Sequence, residues 1–271
     1  MARYQVLLAY DGSDFAGYQR QANARTVQSE VETALRELGW GGRSILAAGR
    51  TDTGVHALGQ VIAFDLDWRH NPQDLVQALN ARLPADAAVQ QARIVPPDFH
   101  PRYAATGRTY FYRLVCREER QPLLERYAWR VWPAVDLERM RQASRDLLGA
   151  HDFAAFGSPP KAGGSTLRSL TQADWRVEAG CTVFEVTGNA FLYRMVRRMT
   201  ALLVAIGQGS QEPEAVRQAL EAPQAGMIQG LAPAHGLTLA AVHYPPAIRE
   251  QPGWEHAPGP YDVRNLSGSG D

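Results

Sequence analysis

Two helix starts stand in the first 75 residues, each set between strand-like runs, and this alternation constrains the fold more than any other feature. Thr26 precedes Val27–Leu38, where Val27, Val31, Ala34, Leu35 and Leu38 recur at helical spacing and Gly39 ends the run. Asn71-Pro72 has the form of an N-cap followed by proline at the first helical position. It opens a second expected helix through Leu83, with Leu75, Val76, Leu79 and Leu83 on one face. Strands are expected at residues 3–10, around Ile45–Ala48 and Gln60–Phe64, and at Ala87–Val95. The order is β-α-β-β-α-β, the split βαβ or ferredoxin-like arrangement, which carries two helices on one face of a mainly antiparallel sheet.

Residues 101–245 read as a second α+β half without a clear repeat of the first. Strands are expected over Arg108–Cys116, Tyr127–Val131, Leu170–Val177, Thr182–Thr187 and Leu237–His243. Helices are expected over Asp136–Leu148, Phe191–Gly207 and Pro213–Leu220, with Glu118–Arg126 a charged loop and Gly157–Ser165 a Gly/Pro/Ser-rich one. The expected fold class is α+β, two ferredoxin-like halves with a cleft between them. The expected domains are residues 1–100 and 101–245, followed by a flexible tail at 246–271, where Pro, Gly and Ser abound and periodicity stops.

The formal net charge is zero, which by itself argues against a nucleic-acid partner, but its distribution is uneven. Residues 100–130 carry seven Arg against three acids, and 201–271 carry three Arg against seven acids. A neutral total is therefore compatible with a basic face. No apolar run is long enough to span a membrane, no leader-like segment opens the chain, and Cys116 and Cys181 stand alone. A cytoplasmic protein with reduced thiols and no membrane association is expected.

Between the second and third strand-like runs lies Gly49-Arg50-Thr51-Asp52-Thr53-Gly54-Val55-His56-Ala57. It presents one carboxylate, Asp52, on a loop between two glycines, which suit unusual dihedrals or close approach to a ligand. A polar turn capped by an Asp side chain fits the local pattern as well as a functional loop does. His56 follows by four residues, but one His makes no metal site, and no Cys/His/Asp cluster has ligand spacing; local hydrogen bonding is its expected part, and His151 is taken as structural.

That nine-residue stretch resembles the catalytic signature of the tRNA pseudouridine synthase A (TruA) family. The resemblance extends in family order over roughly residues 3–245: Ser13–Gln21, Ala78–Pro84, Phe99–Ala105, Arg108–Tyr112, His151–Phe156, Asn189–Leu192, Met195–Arg197, Ala232-Pro233 and Gly236-Leu237. Tyr18 stands where the family usually has Trp, and Tyr193-Arg194 replaces a more usual basic pair. The resemblance implies conversion of uridine to pseudouridine at tRNA positions 38 to 40 in the anticodon stem-loop, without cofactor or metal, by a homodimer holding one tRNA across two chains. It implies Asp52 as nucleophile and Arg197 as its ionic partner. Tyr110 would stack on the target base, with its hydroxyl assisting proton removal from C5 as a base or through water. Arg50 would fill the helix after the uridine leaves it. Arg194 and Arg198 are expected on a solvated helix face, and Tyr112 in the core. The Arg102–Arg130 run is a candidate wall of the RNA cleft, with about half of its arginines expected as ordinary surface charge.

Two other readings compete. Val61–Asp67 mimics the strand-plus-DxD motif of haloacid-dehalogenase-type phosphatases. Trp68-Arg69 follows it where small turn residues are required, and the only lysine, Lys161, lies in the Gly/Pro-rich loop. A non-catalytic RNA-binding module is the other; the full Arg50, Asp52, Tyr110 and Arg197 set argues against it.

Overall fold

The structure, a computed structural model, describes residues 1–249. The first half runs β1 (Ala2–Tyr10), α1 (Val27–Glu37), β2 (Leu46–Ala47), β3 (His56–Leu66), α2 (Pro72–Asn80) and β4 (Ala87–Val95). The second runs β5 (Gly107–Cys116), α3 (Pro122–Glu125), β6 (Trp129–Val131), α4 (Leu137–Arg145), β7 (Gly149–Asp152), β8 (Leu167–Glu178) and β9 (Cys181–Gly188), then α5 (Met195–Gly207), α6 (Glu214–Glu221), β10 (Leu237–His243) and α7 (Pro246–Arg249).

Local chemistry explains the element ends. Thr26 and Ser29 form a reciprocal capping box at the start of α1, and Gly39 takes a φ of 86° just past its end. Asn71 Oδ1 accepts from the Asp74 amide at 2.8 Å, with Pro72 beside it opening α2. That helix stops at Asn80 rather than Leu83. Pro84 disfavours helical dihedrals at the residue before it, and the Asn80 side chain bonds both backbone groups of Val89, at 2.7 and 2.8 Å. The charged loop after β5 contains the single turn α3. His151, expected to open a turn, lies in β7 and pairs with Arg168. Between β8 and β9, Ala179 and Gly180 both have positive φ, 49° and 79°, the backbone of a two-residue hairpin turn.

The largest departure is at α5, which begins at Met195 and not at Phe191. Arg194 adopts a left-handed conformation (φ 62°) and supplies no side-chain cap, and Tyr193 pairs with Ser158 in an isolated bridge. Helical spacing of Phe191 and Leu192 with Met195 therefore reflects shared burial, not shared helix.

Among the described residues all ten strands join one sheet, in the order β4-β1-β3-β10-β5-β9-β8-β7, with β2 on β3 and β6 on β5. Pairing is antiparallel except β10 with β3 and β6 with β5. β10 is the seam between the halves, inserted between β3 and β5. Its Leu239 belongs to a core with Tyr4, Val6, Leu8, Ile62 and the apolar stripes of α1 and α2. Two residues earlier, on the same face, Leu237 joins a core of Tyr112, Leu114, Phe184, Val186 and the inner faces of α4 and α5. Both cores thus cover one face of the sheet, and a cleft opens between them above β10. Tyr112 is fully buried in the second core, as expected.

Residues 246–249 form one helical turn, and Ile248 accepts from Arg93 through its carbonyl at 2.7 Å; the rest of the expected tail lies outside the described residues. No helix among the described residues is long and apolar enough to cross a membrane.

Candidate active site

The Asp52 loop connects β2 to β3, and the loop after β1 supports it from behind. Tyr18 N–H donates to Thr51 O at 3.1 Å, and Gly54 N–H to Phe15 O at 3.4 Å. The buried Thr51 hydroxyl meets Tyr10 OH at 2.8 Å. Gly17 has a φ of 93°, and a Cβ there would stand 2.9 Å from Thr51 O and 3.2 Å from Thr53 N. Of the two loop glycines, Gly54 does take a positive φ, 77°. Gly49 does not need its glycine for close contact: a Cβ there would meet nothing within 4 Å. The tight backbone packing is supplied by Gly17 on the supporting loop instead.

His56 follows the loop and locks its exit. Gly12 N–H donates to His56 Nδ1 at 2.9 Å, so Nε2 carries the proton and faces His235 O at 3.1 Å. Burial lowers the imidazole pKa, with Asp11 Oδ1 3.1 Å from Nδ1 opposing, and the ring serves the local hydrogen bonding expected of it. Asp11 itself joins the halves: Arg126 and Tyr127 bond its Oδ2 at 2.9 Å each. Burial opposes its ionisation, but these bonds and those from Ser13 outweigh it and hold the carboxyl well below the usual carboxylate range.

Asp52 meets Arg197 across the seam. Arg197 Nη1 lies 3.2 Å from Asp52 Oδ2. Its side chain is 12% exposed against 25% for Asp52, so the pair sits inside the cleft wall rather than on an open surface. Arg197 is fixed at both ends: Nε donates to Ala232 O at 2.7 Å, and Ala232 N–H to Arg197 O at 3.2 Å. Tyr112 OH donates to the next carbonyl, Pro233 O, at 2.7 Å. The Ala232-Pro233 stretch therefore holds the arginine that faces the aspartate.

Tyr110 lies on β5 with its ring edge against Phe191, centroids 5.1 Å apart. Burial pushes its phenol up to about 12, Asp52 adds to the rise and Arg108 opposes it. Arg50 is exposed at the cleft and makes no hydrogen bond or ion pair among the described residues.

Arg108, two residues before Tyr110, has a part that the sequence did not reveal. Its guanidinium donates to Ala48 O, Arg102 O and Asn189 O, each at 3.0 Å. Those carbonyls belong to the lead into the Asp52 loop, the loop before β5 and the loop before α5. No acid neutralises it among the described residues, and burial lowers its pKa.

The cleft holds about 810 Å³ and is lined by Asp52, Tyr110 and six arginines: Arg20, Arg50, Arg102, Arg108, Arg194 and Arg197. Among the described residues Asp52 is its only acid, so a neutral chain does carry a basic concavity. The expected arginine run divides between cleft wall and surface charge. Arg102 and Arg108 line the cleft, whereas Arg120 and Arg130 pair with Glu125 and Arg126 with Asp11. Arg194 lines the cleft from its left-handed position instead of lying on a solvated helix face, and Arg198 is half-buried with Nη1 3.4 Å from Phe156 O. Asp65 of the competing phosphatase motif is spent on Arg3, at 2.7 Å through both oxygens.

Residues 7–104 and 143–245 match the model of the family described as tRNA pseudouridine synthase. The chain belongs to that family. Curated relatives named tRNA pseudouridine synthase A include one from Shouchella clausii, 39% identical over 93% of this chain and 98% of the relative. One from Limosilactobacillus fermentum is 40% identical over 90% and 96%, and one from Thermotoga petrophila 40% over 88% and 97%. The enzyme is thus an isomerase that converts uridine to pseudouridine in tRNA.

Proposed function

We propose that Asp52 is the nucleophile of this isomerisation, with Arg197 as its ionic partner, Tyr110 as the platform for the target base and Arg50 as the side chain that fills the vacated stack. The reaction breaks the N1–C1′ bond, forms a C5–C1′ bond, and moves a proton from C5 to N1. Attack at C6, attack at C1′ and a glycal route all need a carboxylate beside the sugar–base junction. The observation that carries the reading is the Asp52–Arg197 pair at 3.2 Å inside a cleft lined by no other acid among the described residues. Arg197 occupies Oδ2, and no described donor occupies Oδ1, which leaves one oxygen for substrate.

Tyr110 offers its ring. Base–aromatic stacking contributes roughly 1–3 kcal/mol, and extrusion of a base costs a few kcal/mol, so the two are commensurate. With the phenol raised to about 12, the tyrosine stays protonated at neutral pH, which favours a role through water over one as phenolate base. The lining arginines suit phosphates, since guanidinium pairs with phosphate in bidentate fashion.

The substrate uridines are placed in the anticodon stem-loop, and the chain is taken to work as a cytoplasmic homodimer with residues 1–100 and 101–245 as its two units. Family resemblance supports these points. Mapping pseudouridine in tRNA from a strain lacking the gene tests the choice of uridines: loss at positions 38 to 40 alone is expected. Retention there, or loss elsewhere only, contradicts the placement.

A further inference from the structure

Four large aromatic rings are exposed among the described residues: Tyr103, Tyr127, Trp132 and Tyr193. Tyr127 is engaged with Asp11. Tyr103 and Tyr193 both line the arginine-rich cleft, at 78% and 49% exposure, and each already rests on a neighbour. Tyr103 packs on His100 with centroids 4.3 Å apart. Arg194 lays its guanidinium over the Tyr193 ring, 4.7 Å from the centroid.

Tyr193 is the more rigidly held. Its N–H donates to Ser158 O at 2.9 Å in an isolated bridge. The bridge packs backbone on backbone: a Cβ on Gly157 would stand 2.8 Å from Tyr193 O. Arg194, at a φ of 62°, lays its guanidinium over the Tyr193 ring, and the half-exposed ring lines the cleft. Phe191, two residues earlier, touches Tyr110. Two residues of chain span at most about 7 Å, so Tyr193 stands within a nucleotide's reach of a base held at Tyr110.

We propose that Tyr193, backed by Arg194, is a stacking platform for the nucleobase next to the extruded uridine. The site takes any base, because every base has a π-face, and its cationic backing suits the adjoining phosphate. It would hold the RNA open on one side of the target while Tyr110 holds the target itself. This assignment rests on the reading of the cleft as the place where the uridine reacts.

The test uses the full chain and tRNA carrying 2-aminopurine on the 5′ or the 3′ side of the target uridine. Wild type should quench the probe at one of the two positions. Tyr193→Phe should keep both quenching and affinity. Tyr193→Ala should restore the fluorescence and weaken Kd by about 5- to 140-fold, the loss of one stack. Wild-type affinity and quenching in Tyr193→Ala overturn the proposal, and so does a Tyr193→Leu variant that matches Phe, since bulk alone would then suffice. Absence of pseudouridine in the same tRNA with wild type would instead overturn the underlying reading, and the Tyr193 binding comparison would still be read.

Discussion

At the scale of single residues, the site depends on side chains that reach across the sheet to backbone carbonyls. Arg108 is the clearest case, since one guanidinium holds three segments that present Asp52, the cleft wall and α5. Hydrogen bonds from a charged donor contribute about 1.5–3 kcal/mol each when no water replaces them; the cleft is open to water, so the stability cost of losing them is smaller. The larger effect is on geometry, because misplacing reacting groups by an ångström costs about 100-fold in rate. Arg108→Ala is therefore expected to lower single-turnover kcat by about 10- to 100-fold with a smaller change in KM, and Arg108→Lys to recover part of it. Unchanged kcat with raised KM would show a contact to RNA instead. The family resemblance singled out Asp52, Arg50, Tyr110 and Arg197 for the roles proposed above, and the structure places all four at the cleft and brings Asp52 and Arg197 into contact. The part of Arg108 was not legible in the sequence, because three bonds to remote carbonyls leave no mark on the residue types that supply them.

At the scale of elements, the supporting loop after β1 sets the shape of the Asp52 loop. Gly17 lies against the Thr51–Thr53 backbone at a positive φ. Gly17→Ala adds both dihedral strain, about 1–3 kcal/mol, and a push on the Asp52 loop. Gly163 has a φ of 72° but nothing within 4 Å of its Cβ position. Alanine at either position should lower Tm in thermal unfolding, but only Gly17→Ala should reduce turnover beyond the loss of folded enzyme. Capped elements such as α1 and α2 were readable because Thr26 and Asn71 announce them. The start of α5 was not, because Arg194 opens it from a left-handed conformation without a capping side chain. Apolar spacing continued upstream into a segment that is buried but not helical.

At the scale of the molecule, one sheet joins both halves through β10, which pairs with β3 about 180 positions earlier in sequence. No local pattern announces such a pairing, so two α+β halves could be read from sequence but not the strand that closes them on one another. The cores around this strand hold several phenols. Burial raises the pKa of Tyr10, Tyr18, Tyr110, Tyr112 and Tyr244. Each then titrates at about 10 when unfolded and higher when folded. Stability is fully present below about pH 10 and falls as pH rises from there, because the unfolded chain sheds protons that the folded one keeps. Urea midpoints should therefore fall steeply between about pH 10 and 12. A flat profile there would mean the seam is open to water.

On the proposed mechanism, the cleft assembled at this seam works through one carboxylate. The most direct measurement is pseudouridine formation in tRNA by Asp52→Asn, alongside its tRNA affinity. No detectable pseudouridine is expected, with Kd close to wild type, because the amide keeps the shape of the side chain and loses its nucleophile. Turnover near wild type would contradict the assignment of Asp52 as nucleophile, and with it the part of Arg197 as its ionic partner in the reaction.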